Sequence, residues 1–422
     1  MPTPSLILVP ARFKTGKLYT PVATTSGGTV LGASGDFNVT RATTATRVNA
    51  SGYIESVASG IPRLDYFASG GTVGCPALLV EPSGSNLLLQ SAGFEVSGTW
   101  SPTNNTITTG STAAFTAPDG TTNADLLTST SSISTSSLTQ TITVASGTSS
   151  ISVFAKAGNY GLFRIGNVSS AARAAWFNLD AGVVTGTVNG GSASMQNYGN
   201  GWYRCIFTPT TTVSGSDAFI IGISNAPNGT TGVSGSTIYF WGAQLETGSV
   251  ATSYIPTTTG SVTRNADVIS VSGAVSGSIG QTEGTIYAEV DVRNITAVKN
   301  IISTDDGNSL NRVSLFIDPS PNRITAVISS GGTGTFVSGS ITTGVHKIAV
   351  SYSSSDVQVF LNGGFLASGV PTLFPSVTRN NLSIGGRIVS GAYGAFLNDR
   401  IRAAALYTTR LTNDQLASLT TP

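Results

Sequence analysis

The sequence predicts an all-β protein: an N-terminal extended adaptor followed by two β-sandwich (jelly-roll) domains. Three observations lead there. Val, Ile and Thr recur along the whole chain in short runs, the composition of pleated, half-buried strands. Gly accounts for 50 of 422 residues and, with Ser, Asn and Pro, breaks those runs at close intervals, as tight turns require. No 3.6-residue hydrophobic period is sustained in the body of the chain, so helices are not the building material.

Residues 1–84 hold short apolar runs, scattered charges and weak strand signals. They read as an anchoring adaptor, too thin in apolar residues for a large core of its own. Residues 85–266 carry all four tryptophans, Trp100, Trp176, Trp202 and Trp241. Strand-like runs lie at 150–157, 161–168, 174–180, 202–209, 218–224 and 237–246, with turns at Asn189-Gly190-Gly191 and Pro227-Asn228-Gly229 between them. Many short strands at such spacing predict a sandwich or jelly roll. The stretch 256–270 reads as exit and linker.

Residues 267–422 open a second series. In 285–295, Ile286, Ala288, Val290 and Val292 alternate with Tyr287, Glu289, Asp291 and Arg293, the pattern of a half-buried strand. Residues 346–364 read as a hairpin closed by a turn at Asn362-Gly363-Gly364, and 381–387 and 399–409 as two further strands. Near the end, Thr412 and Gln415 have capping-box spacing before Leu416 and Leu419, which predicts one short helix.

The formal net charge of +1 gives no electrostatic footprint for nucleic acid or an anionic membrane. No apolar run approaches the length of a helical membrane span. The N-terminus lacks a positive n-region and a cleavage-site pattern, so no signal peptide is expected. Two cysteines, Cys75 and Cys205, exclude a disulfide framework. They are expected as buried thiols, with a single bridge as the alternative.

Certain stretches resemble known families. RATTATRVNASGYIESV (41–57), PRLDY (62–66), CPALLVEPSGSNLLLQSAGF (75–94), GWYRC (201–205) and the run from Phe240 to Asp267 are similar to a module of phage tail, head-fibre and other virion structural proteins. There it carries a jelly roll of the carbohydrate-binding-module type. HKIAVSY (346–352), VQVFLNGG (357–364), LSIGGR (382–387) and the terminal IRAAALYTTRLTNDQLASL (401–419) resemble a concanavalin A-like lectin/glucanase or laminin-G-like domain. The resemblance implies a fibre, decoration or tail-associated subunit on the virion surface, made in the host cytoplasm. Its implied partners are other virion proteins of capsid or tail, and host-surface or mucosal glycans. A homo-oligomer, a trimer as in phage fibres, is the implied assembly. A primary role as glycan-binding adhesin is the alternative, and a glycan depolymerase a third.

A search for catalytic groups argues against an enzyme. The single histidine, His346, opens a strand, and no nucleophile elbow, Walker loop or dinucleotide fingerprint is present. The sharpest catalytic candidate is Glu289 with Asp291, two apart on one strand face, since glycosidases flank the scissile bond with two carboxylates. The glucanases that the third segment resembles carry a further acid where this chain has Asn294. Glycan binding instead needs aromatic faces beside polar groups. Tyr160, Trp176, Tyr198 and Trp202, with Arg164, supply that pattern. For a structural Ca²⁺, Asp305 and Asp306 offer hard oxygens in an acidic turn, and the jelly-roll resemblance points to Glu95 and Glu246.

Overall fold

Strand after strand forms where β-branched residues alternate between turn residues. The computed structural model describes residues 2–20, 36–68, 73–167, 173–210 and 213–422. Among these, two β-sandwiches account for nearly all the regular structure.

The first sandwich pairs two antiparallel six-stranded sheets. One runs Ser101–Thr103, Ser137–Gly147, Val213–Ile223, Leu162–Asn167, Arg173–Asn178, Val183–Val188. The other runs Asn105–Thr109, Asp125–Ser129, Thr237–Thr247, Ser149–Ala157, Trp202–Thr208, Ser192–Gly199. Phe163, Ile165, Phe177, Ile221, Val153, Cys205 and Phe207 fill the space between them. The predicted turns are present: Asn189, Asn228 and Asn362 take positive φ, a conformation Asn tolerates better than most side chains.

The second sandwich packs an eight-stranded sheet on a nine-stranded one. Glu283–Val292 lies centrally in the former, between Gly344–Ser353 and Asp399–Tyr407. Its alternation is as the sequence predicts: Ile286, Ala288, Val290 and Val292 enter the core. On the opposite face Tyr287 packs with Leu411 and Leu416 beside the helix Asn413–Thr420. That helix begins with the expected capping box, Thr412 and Gln415 bonding reciprocally.

Apart from one hairpin, the described strands of the N-terminal segment belong to the sheets of the second sandwich, whose own strands that pair with them lie 200 or more residues away in sequence. Leu6–Leu8 and Val73–Val80 pair with Asp399–Tyr407, and Phe37–Thr40 pairs with Val268–Ser272. Strands this short have little stability without long neighbours, which is why their local signal is weak. The adaptor's stretches 21–35 and 69–72 lie outside the described residues. The presumed linker 256–270 is also structural. Val262–Arg264 pairs with Gly84–Asn86, and Val268–Ser272 lies between Phe37–Thr40 and Asn381–Ile384.

One segment of the early chain stands apart from both sheets. The hairpin Ala45–Val48/Ile54–Val57 lies over the outer face of the first sandwich. Val48 and Ile54 bury there against Phe154, Trp202, Trp241 and Tyr254, with Phe67 and Tyr198 beside them. The strand Trp202–Thr208 serves both sides by alternation: Cys205 and Phe207 point into the sandwich, Trp202 and Arg204 out of it.

Beneath this hairpin the two sandwiches meet in a buried ion-pair network. Arg63 donates to Glu81 (2.7 Å) and to both oxygens of Asp267. Asp267 also accepts from Arg41 at 2.9 Å, and Glu81 from the Ser253 amide and hydroxyl. Arg264 approaches Glu81 at 3.5 Å. From the second sandwich, Arg293 and Lys299 share Asp399, while Arg400 holds Asp65 at 2.7 Å. Burial without these partners would be prohibitive for any one of the charges.

Arg63→Ala leaves Glu81 and Asp267 buried with a cation missing. It is expected to destabilise the chain by about 3–5 kcal/mol, whereas Arg47→Ala, which opens the half-exposed pair with Glu55, should change stability by less than about 1 kcal/mol. Chemical denaturation of the two variants beside the parent chain measures both.

Candidate functional site

A cleft of about 280 Å³ opens where three pieces of chain converge on the outer face of the first sandwich. The hairpin brings Gly52 and Tyr53, the loop around Ala113–Pro118 forms one wall, and the turn from Tyr198 to Trp202 forms the other. Gly199, Asn200 and Gly201 in that turn all have positive φ, which folds the chain back sharply between the two aromatic residues.

The aromatic groups of the cleft are held rigidly. Trp202 is its floor, 2% exposed, with its indole N–H donating to the Thr116 carbonyl at 2.9 Å. Tyr198 sits between Phe67 and Phe154, with ring centroids 4.7 and 4.9 Å away. Tyr53 is 36% exposed and presents its ring to the opening. The ring lies against Gly120, where a Cβ would come within 3.2 Å of it. Lys156 supplies the cation: its ammonium lies 4.5 Å from the Tyr239 ring and 5.3 Å from the Trp202 ring, and donates to the Ala114 carbonyl. Burial lowers its pKa from the ordinary lysine value. The exposed Asn200 completes the rim with an amide.

Of the five residues expected to bind glycan, the structure brings Tyr198 and Trp202 into this cleft. Of the other three, Arg164 and Trp176 lie in the opposite sheet and Tyr160 in the turn that leads into it. Trp176 is 3% exposed and donates to the Gly229 carbonyl at 2.7 Å. Tyr160 donates to the Ser224 carbonyl. Arg164 is cross-strand from Trp176 and buried, its Nε without a hydrogen-bond partner. Tyr53, Lys156 and Asn200 are missed by sequence reasoning. The first lies over 140 residues from the Tyr198–Trp202 turn, and only the fold joins them.

The acids expected at a Ca²⁺ site are engaged otherwise. Glu246 is buried and accepts from the Thr252 amide and hydroxyl and from Gln244. Asp305 accepts from the Gly307 amide, Asn381 and Ser303, and Asp306 from the Asn308 amide and Asn311. Glu95 is exposed and adjoins Asp125 rather than Glu246. Among the described residues no three His, Cys, Asp or Glu side chains converge as a metal site.

The remaining chemical candidates also have structural partners. Glu289 faces Arg402 at 3.9 Å and Asp291 faces Arg400 at 3.8 Å. His346 is buried between the Thr342 carbonyl and the Asn362 amide. Both cysteines are free thiols. Cys205 is buried as expected, and burial pushes its thiol pKa well up. Cys75 is exposed instead, because it falls on the outward side of its strand near the end.

No family model matches the chain, and no curated protein matches it in sequence. Among solved structures, it is similar to the CBM40 of a Ruminococcus gnavus IT-sialidase, at 17% identity and a TM-score of 0.30, covering 33% of this chain and 84% of that one. It is also similar to a leech intramolecular trans-sialidase, at 16% identity and a TM-score of 0.30, covering 33% of this chain and 23% of that one. A heptameric SAP-like pentraxin from Limulus polyphemus matches at 12% identity and a TM-score of 0.26, over 32% of this chain and 68% of that one.

Asp125, behind the cleft's supporting loop, gives a pH signature. Burial, then the neighbouring Glu95 carboxyl, raise its pKa from 3.8 to about 8, against the lowering effect of the Phe94 amide bond. A carboxyl whose folded pKa is raised stabilises the fold fully below its unfolded value and loses that contribution as pH rises through the folded one. Asp125→Asn keeps an acceptor for the Phe94 amide without the charge. Its stability relative to the parent chain should therefore rise steadily between pH 3.8 and about 8, as read from denaturant midpoints at a series of pH values.

Proposed function

We propose that this is a non-enzymatic glycan-binding protein displayed on a bacteriophage particle, as a fibre, decoration or tail-associated subunit. The observation that carries the glycan reading is the cleft. Sugars offer C–H faces to aromatic rings and hydroxyls to amides and cations, and here Tyr53, Tyr198, Lys156 and Asn200 present that combination around one opening. The aromatic groups are fixed by packing and by backbone hydrogen bonds, so little entropy is lost when a ligand docks. The residues that an alternative depolymerase would use, Glu289 and Asp291, face arginines of a neighbouring strand.

The particle reading draws on the sequence resemblance and on the architecture. Two sandwiches welded by a buried seam make a stiff unit suited to display. A glycan array that includes neutral, sulfated and sialylated glycans tests the binding directly. Tyr53→Ala removes an exposed ring without opening the core, and should weaken any glycan bound by about tenfold, the size of one lost stacking contact. Unchanged affinity in that variant, or no glycan retained by the parent chain, contradicts the reading. Light scattering of the full chain addresses assembly: a trimer is the expected mass, and a monomer counts against a fibre subunit.

A further inference from the structure

Tyr198 also lines a second, smaller void, of about 20 Å³. Its walls come from the hairpin (Arg47, Val48, Ile54), the first sandwich (Tyr198, Arg204, Tyr254) and the second (Arg293, Arg400). A space of this size accommodates a single small guest.

The lining is unbalanced in charge. Arg204 is 3% exposed, its guanidinium 5.5 Å from the Phe154 ring centroid, and it forms no ion pair within 4 Å among the described residues. One of its nitrogens donates to the Ser152 hydroxyl, and its Nε has no hydrogen-bond partner. Arg400 is likewise 3% exposed, with its Nε on Asp65 and its Nη1 3.8 Å from Asp291 but without a hydrogen bond. The two acids in the wall are already committed. Asp65 accepts from Arg400 and from the amides of Val48 and Phe67, and Glu81 from Arg63 and Ser253. Beyond the wall, Asp267 serves Arg41 and Arg63, and Asp399 serves Arg293 and Lys299. Glu246 also acts on Arg204, but forms no ion pair with it within 4 Å, its oxygens accepting from Thr252 and Gln244.

We propose that this void binds a monovalent inorganic anion of halide size, held by Arg204 and Arg400 between the two sandwiches. A buried guanidinium with no carboxylate at ion-pair distance, as Arg204 is, is strongly disfavoured, and an anion in the void supplies that contact. A water satisfies a donor but leaves the positive charge uncompensated. The small volume favours a monatomic ion over a sugar carboxylate. The anion would thereby join the seam as a structural part, independent of any glycan in the cleft.

The test uses the full chain and two readouts. Crystals grown in sodium bromide should show an anomalous scattering peak in the void between Arg204 and Arg400. In solution, the melting temperature should be higher in chloride than in gluconate at equal ionic strength. It should climb by about 2 °C per tenfold increase in chloride once the site begins to fill. Arg204→Met should abolish that dependence. Should that variant fail to fold, the bromide map of the parent chain still decides. No peak in the void, or equal melting in chloride and gluconate, overturns the proposal.

Discussion

The structure depends on Arg63. Its guanidinium is fully buried and bridges Glu81 and Asp267, which arrive from positions 18 and 204 residues along the chain. Nothing solvates that cation except protein, so its partners must be in place for the fold to close. Both are: Glu81 is held far below the usual carboxylate range by Arg63, Arg264 and Arg293, against the opposing effect of burial, and stays ionised. The Arg63 pKa is itself raised by the two acids despite burial. Buried pairs of this kind contribute little net stability compared with an apolar core, but they tolerate only one arrangement. Here that arrangement fixes how the N-terminal strands, the 256–270 stretch and both sandwiches sit together.

Function follows from that fixity. The cleft is not made within one sandwich. Its floor belongs to the first, and one wall is a hairpin whose root is pinned by Arg41, Arg63 and Asp65. Arg41 bonds the Val57 and Ala58 carbonyls at the hairpin's end, and Asp65 accepts from the Val48 amide within it. A change in the seam would therefore move Tyr53 relative to Trp202. The same geometry traps Arg204 between the hairpin and the first sandwich. The cleft proposed for glycan and the void proposed for an anion thus share one supporting structure, with Tyr198 in the wall of both.

Local pattern made much of the fold legible. The alternation at Ile286–Arg293, the turns at Asn189, Asn228 and Asn362 and the capping box at Thr412 are decided by neighbours in sequence, and each is found as expected. The N-terminal strands escape such reading. Leu6–Leu8 has three residues, and its stability comes from Leu406, Ala405 and Ala404 at the other end of the chain. The motifs that suggest kinship to virion proteins prove to hold the seam: Arg41, Arg63, Asp65, Glu81, Arg264 and Asp267 all lie within them. Charge in a low-charge sequence reads naturally as surface, and only the fold shows these groups to be interior. The cleft was half legible. Tyr198 and Trp202 are flagged by aromatic character, while Trp176 has the same character and serves as a core residue with a bonded indole. Tyr53 carried no signal of its own.

The central claim is that the seam makes two sandwiches one cooperative unit. All four tryptophans lie in the first sandwich, so their fluorescence reports its unfolding, whereas far-ultraviolet circular dichroism reports the strands of both. Equilibrium denaturation followed by the two signals should give superimposable transitions. Curves that separate, with circular dichroism showing a second step after the tryptophans have changed, would mean that the sandwiches unfold independently and that the buried network does not couple them.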